Sequence, residues 1–177
     1  MKKLLGQVLV ACALVFSSML MLDVAQAQVP GALLSASVLG GLQTSNLDGI
    51  GAGNYYALRG GFGSFFGELR HANWGGSNAY VNDNGFLGGM DFSLFGLTLS
   101  GAVGAGTANY QAPAVAGGAL PAVQNYTSFL YEAQAMYNFN IVGSFITAGV
   151  GVNYVGEANS VAPIAGWGGV ASLNIGL

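Results

Sequence analysis

Arg59, Glu68, Arg70, Asp91 and Glu132 carry most of the charge in the body of this chain, and His71 is its one histidine. Carboxylates beside a histidine could do acid-base or nucleophilic chemistry, but only if the base reaches both a nucleophile and an orienting acid. The spacing works against that. Side chains of an extended strand alternate between faces, so Glu68, three positions from His71, points the other way. No catalytic residue is assigned and the chain is read as a non-enzyme. A lipid-modifying enzyme ranks third, because it needs His71 to meet a serine and an acid on the outer face. One histidine and one cysteine, Cys12, leave no metal set, and no cofactor is expected.

The five charged residues instead share a parity. Around a turn at Gly63 and Ser64, Tyr56, Leu58, Gly60 and Phe62 fall on one face, with Tyr55, Ala57, Arg59 and Gly61 on the other. Beyond the turn, Phe65, Gly67, Leu69 and His71 oppose Phe66, Glu68, Arg70 and Ala72. Only 6% of residues are charged while 53% are hydrophobic, against about 25% charged in soluble domains. Beyond residue 22 no apolar run approaches the ~20 residues of a transmembrane helix, and 30 glycines suit helices poorly. A closed barrel is the other way to span a bilayer. The charged face is therefore expected in a lumen and the apolar face against lipid; the competing reading is a soluble sandwich.

The same alternation recurs along the chain. The first strand covers Leu34 to Gln43, and the hairpin about Gly63 supplies two more. Further strands send Phe86 to Leu94, Leu97 to Ala105, Phe129 to Phe139, Ile146 to Tyr154 and Trp167 to Leu177 outward at every second position. The segments between them, Thr44 to Gly53, Asn73 to Asn84, Asn109 to Asn125 and Gly156 to Ala165, read as exposed loops, with Asp48, Asp83 and Glu157 as solvated charges. Short turns fall at Gly63-Ser64, Phe95-Gly96 and Asn140 to Ser144. The fold class is thus all-β: an eight-stranded, antiparallel, up-and-down transmembrane barrel whose connections alternate long and short. Phe62, Phe65, Phe92, Phe139 and Phe145 are expected to form one aromatic girdle, and Tyr56, Trp74, Tyr110, Tyr126, Tyr154 and Trp167 the other.

Lys2 and Lys3, the apolar segment Val8 to Leu22 and the small residues of Ala25-Gln26-Ala27 make residues 1–27 a cleaved signal peptide, and residues 28–177 the barrel. An uncleaved anchor, or a lipoprotein with Cys12 at its cleavage box, is the alternative. The mature chain would hold two basic residues against six acids, a balance of −4 that gives no basic patch for nucleic acid.

The alternating strands and the terminal segment Gly166 to Leu177 resemble the small eight-stranded outer-membrane barrels, the group of the OmpA membrane domain, OmpX and the Opa-type surface proteins, loosely grouped with the porin family. The terminal strand departs from the group in ending on Leu177 rather than an aromatic. The resemblance implies a place in the cell outer membrane of a Gram-negative bacterium, contact with outer-membrane lipid, and recognition of that strand by the barrel assembly machinery. It also implies a structural or surface-interaction role through four extracellular loops, with a surface partner. The alternative is a narrow channel for ions or small solutes through a polar lumen. Arg59, Glu68, Arg70, Asp91 and Glu132 would then form the lumen charge network that decides between them.

Overall fold

The computed structural model describes residues 33–176 apart from 77, 115–117 and 144; the expected signal segment, Ser144 and Leu177 lie outside the described residues. Eight strands follow one another: β1 (Leu34–Gln43), β2 (Gly53–Phe62), β3 (Phe65–Gly75), β4 (Tyr80–Leu94), β5 (Leu97–Gln111), β6 (Gln124–Val142), β7 (Ile146–Ala158) and β8 (Ile164–Gly176). Each pairs antiparallel with the next, and β8 returns to β1 to close the barrel. Closure leaves no sheet edge, so the ladder satisfies the strands' backbone groups.

The period of two decides which way every side chain faces. Leu58, Leu69, Phe86, Val103, Phe129, Val150 and Leu173 are all exposed on the outer wall, each between about 47% and 60%. Ser37, Arg59, Glu68, Asp91, Glu132, Gln134 and Asn174 are buried inside. The distribution is inverted relative to a soluble protein, which rarely exposes a contiguous apolar patch of that size.

Turns end the hairpins. Gly63 takes a φ of +59° at the first position of the β2–β3 turn, as Gly-X hairpin turns require. Phe95 and Gly96 have φ of 51° and 84° in the β4–β5 turn. Inside, glycine permits close strand approach: a Cβ on Gly104 would lie 2.0 Å from the Phe86 carbonyl oxygen, whereas one on the outward Gly101 would meet nothing within 4 Å.

The closing seam has its own fastenings. Ser35 to Gln43 pair with Gly168 to Gly176. Above that ladder the Thr44 amide donates to the Trp167 carbonyl (2.8 Å), the Trp167 amide donates to Thr44 Oγ1 (3.0 Å), and the Ala165 amide donates to Asn46 Oδ1 (2.8 Å).

Three expectations need correction. The strands run into three of the expected loops: Asn73 to Asn84 is mostly strand, and β5, β6, β7 and β8 take the ends of Asn109 to Asn125 and Gly156 to Ala165, which leaves 76–79, 112–123 and 159–163 between strands. Their Asn and Gly content disfavours strands only weakly once a paired neighbour is present. Asp83 and Glu157, expected in solvated loops, are fully buried and face the interior. Trp74 is also fully buried, its indole N–H donating to the Thr44 carbonyl (3.0 Å), and the Tyr126 hydroxyl turns to Glu157, so neither belongs to an outer girdle. The rings gathered on the outer wall there are Tyr131, Tyr154 and Trp167, with centroids 6.1 and 4.9 Å apart along the series.

Candidate functional site

Arg59 stands at the centre of the lumen because β2 places it on inward parity directly opposite Glu68. Its Nε and Nη2 both donate to Glu68 Oε2, at 2.9 and 2.6 Å. Nη1 reaches Asp91 Oδ1 at 3.3 Å, while Nη2 reaches Glu132 Oε1 at 3.4 Å and Gln134 Oε1 at 3.2 Å. The guanidinium lies 3.8 Å over the Phe66 ring, a stacking that suits its planar charge. The Tyr55 hydroxyl sits between two acids, 3.2 Å from Glu68 Oε1 and 3.0 Å from Glu132 Oε1, and Gln134 Nε2 donates to Glu132. One cation thus joins three carboxylates contributed by β3, β4 and β6.

Arg70 is in the same lumen but in a second cluster nearer the long loops. Its Nη2 donates to Asp83 Oδ2 at 2.6 Å and to the Gly156 carbonyl at 3.3 Å, and Nη1 to the Tyr131 carbonyl at 3.2 Å. Tyr126 donates to Glu157 Oε1 at 2.9 Å close by. Of the five residues expected to pair across the lumen, Arg59, Glu68, Asp91 and Glu132 meet, while Arg70 pairs with Asp83. The missed partners carry a signal: continuing the inward parity of Asp91 and Leu87 backwards reaches Asp83, and that of Asn153 forwards reaches Glu157.

Toward the long loops from Arg59, an apolar cluster packs the barrel beside the Arg70–Asp83 pair. Ile50, Tyr55, Trp74, Val155 and Ile164 belong to one buried cluster there, and Ile50 comes from the β1–β2 loop folded inward. Below Arg59, a cavity of about 20 Å³ lies among Asp91, Thr98, Met136 and Asn174. That is room for roughly one water molecule. Farther toward the short turns the lumen is bonded with neutral groups, including Asn138 Nδ2 to Thr98 Oγ1 (2.7 Å) and Asn174 Nδ2 to Thr147 Oγ1 (3.1 Å). Such a filled interior is what an eight-stranded barrel has room for.

His71 is on the outer wall. Its ring stacks on Tyr56 with centroids 6.5 Å apart, and Nδ1 lies 2.9 Å from Asn84 Oδ1. Neither neighbour is an acid.

Searches with family models and against curated proteins returned no match. Solved structures do match. The attachment invasion locus protein Ail of Yersinia pestis aligns with a TM-score of 0.56 at 15% identity, over 81% of this chain and 99% of its own. The N-terminal β-barrel domain of OprF from Pseudomonas aeruginosa gives 0.55 at 14% identity, over 85% and 100%. The fold is that of the small outer-membrane barrels. Neisserial surface protein A aligns with a TM-score of 0.52 at 9% identity, over 81% of this chain and 96% of its own. A second Ail structure, in complex with the heparin analogue sucrose octasulfate, gives 0.53 at 16% identity, over 80% and 98%.

Proposed function

We propose that this chain is an integral protein of a Gram-negative outer membrane, a plugged barrel that acts through its long-loop end rather than by conduction. The observation that carries the reading is the filled lumen, with the Ile50–Trp74 stopper above the Arg59 cluster. The apolar outer wall fits a bilayer, in which charged groups on the lipid face are costly. Residues 1–27 would serve as the export signal, and β8 as the strand met by the assembly machinery. Exposed Leu120, Val123 and Val161 at the long-loop end suit an uncharged partner surface. The sulfated saccharide bound by Ail does not carry over. Such a ligand calls for exposed cations, and both arginines among the described residues are buried in the lumen.

Planar-bilayer recording tests the reading. The refolded wild type, its folding checked by heat-modifiable gel mobility, is expected to be silent. Removing Arg59 leaves an acidic lumen, so any current from Arg59→Ala should favour cations. Discrete wild-type conductance steps altered by Arg59→Ala or Glu132→Ala would replace this reading with that of a narrow channel.

A further inference from the structure

Five asparagines from distant parts of the chain stand in one row. Asn54 is opposite Asn73, Asn73 opposite Asn82, Asn82 opposite Asn109 and Asn109 opposite Asn125, so the row crosses β2 to β6 without a break. Their neighbours Tyr55, Ala72, Trp74, Val81, Asp83 and Ala108 are buried, which turns the asparagines outward. At about 4.8 Å per strand the row runs roughly 19 Å.

The adjacent rows fix its height. One step toward the short turns, Tyr56, His71, Asn84, Thr107 and Thr127 form a second paired row. A further step brings Leu58, Leu69, Phe86, Ala105 and Phe129, all apolar and exposed. The outer wall therefore passes from apolar to amide within two rows. In the outer-membrane reading, on which this inference rests, that is the level where acyl chains give way to lipid headgroups.

The chemistry of the wall is specific. Each primary amide both donates and accepts, and the Tyr56–His71 pair adds a flat ring surface. Asn73 Nδ2 donates to Asn82 Oδ1, and His71 Nδ1 meets Asn84 Oδ1, so part of the capacity is used within the wall. The ten positions include no carboxylate, lysine or arginine. Sugar hydroxyls, which also donate and accept and bear no charge, are the complementary partner; a phosphate would require the cations that lie in the lumen. We infer that this wall binds, side-on, the saccharide headgroup of an outer-leaflet glycolipid.

The test uses the wild type and an Asn73→Ala, Asn82→Ala, Asn109→Ala triple variant, each refolded with rough lipopolysaccharide carrying core sugars or with lipid A lacking them. Native mass spectrometry then reads the lipid retained. The wild type should keep the core-bearing glycolipid about tenfold better than lipid A, and the triple variant should lose that preference. If the triple variant fails to give a heat-modifiable barrel, Asn109→Ala alone should reduce the preference severalfold. Equal retention of both lipids by the wild type would overturn the inference, as would an undiminished preference in a folded variant. A wild-type dimer abolished by the same substitutions would assign the row to a second copy instead. A wild type that never reaches a heat-modifiable barrel would sink the membrane reading and the inference with it, whereas conductance alone would sink only the plug.

Discussion

At the scale of single residues, Arg59 dominates. It is 6% exposed and holds Glu68, Asp91 and Glu132 together, so its removal leaves three buried acids without their shared cation. Breaking a buried pair from one side costs about 3–5 kcal/mol. Arg59→Ala should therefore destabilise the refolded barrel by that order, seen as a lower urea midpoint at unchanged slope, and adding Glu68→Ala should recover part of the loss; equal midpoints for wild type and Arg59→Ala would remove the cluster's structural role. The inward position of Arg59 and its acids was legible from parity alone. That of Asp83 and Glu157 was obscured by their surroundings, Asn82-Asp83-Asn84 and Gly156-Glu157, which resemble turns. Neither segment turns, because Arg70 and Tyr126 supply buried partners to the two carboxylates. The asparagine row was less accessible still, since positions 54, 73, 82, 109 and 125 share no period and only the register aligns them.

At the scale of elements, strand ends were harder to place than strand centres. Two short-turn ends, Gly63-Ser64 and Phe95-Gly96, were found where expected, whereas the third, expected over Asn140 to Ser144, is shorter because β6 runs on to Val142 and pairs there with Ile146. At the other end β4, β5 and β6 run on through polar sequence, because a ladder partner matters more there than propensity. The glycines divide by face in the same way. Gly104 faces inward, where an added Cβ strikes the backbone of β4, while Gly101 on the same strand faces open space. Gly104→Ala should destabilise the barrel by ~1–3 kcal/mol, as overpacking does, whereas Gly101→Ala should stay within about 0.5 kcal/mol of wild type. Urea titration of the pair in lipid vesicles would check the inward and outward assignment of β5; similar losses for both would contradict it.

At the scale of the whole molecule, one inverted alternation accounts for both surfaces: apolar side chains outside, and inside a lumen filled in turn by neutral bonds, the Arg59 cluster and an apolar plug that packs beside the Arg70–Asp83 pair. The seam between β1 and β8 is the exception to an otherwise local plan. Every other pairing joins neighbours in the chain, but this one brings Ser35 to Gly176. Long loops cost entropy before their contacts repay it, so the hairpins should form first and the seam last. Asn46→Ala, which removes the acceptor of the Ala165 amide and about 1 kcal/mol of stability, should then speed unfolding and leave the folding rate nearly unchanged. Stopped-flow refolding into vesicles would show the reverse, a slowed folding phase, if the seam formed early. Late closure makes the nascent protein an open, curved sheet with two unsatisfied rims, and the time it spends in that form is the interval in which a second chain could splice into it.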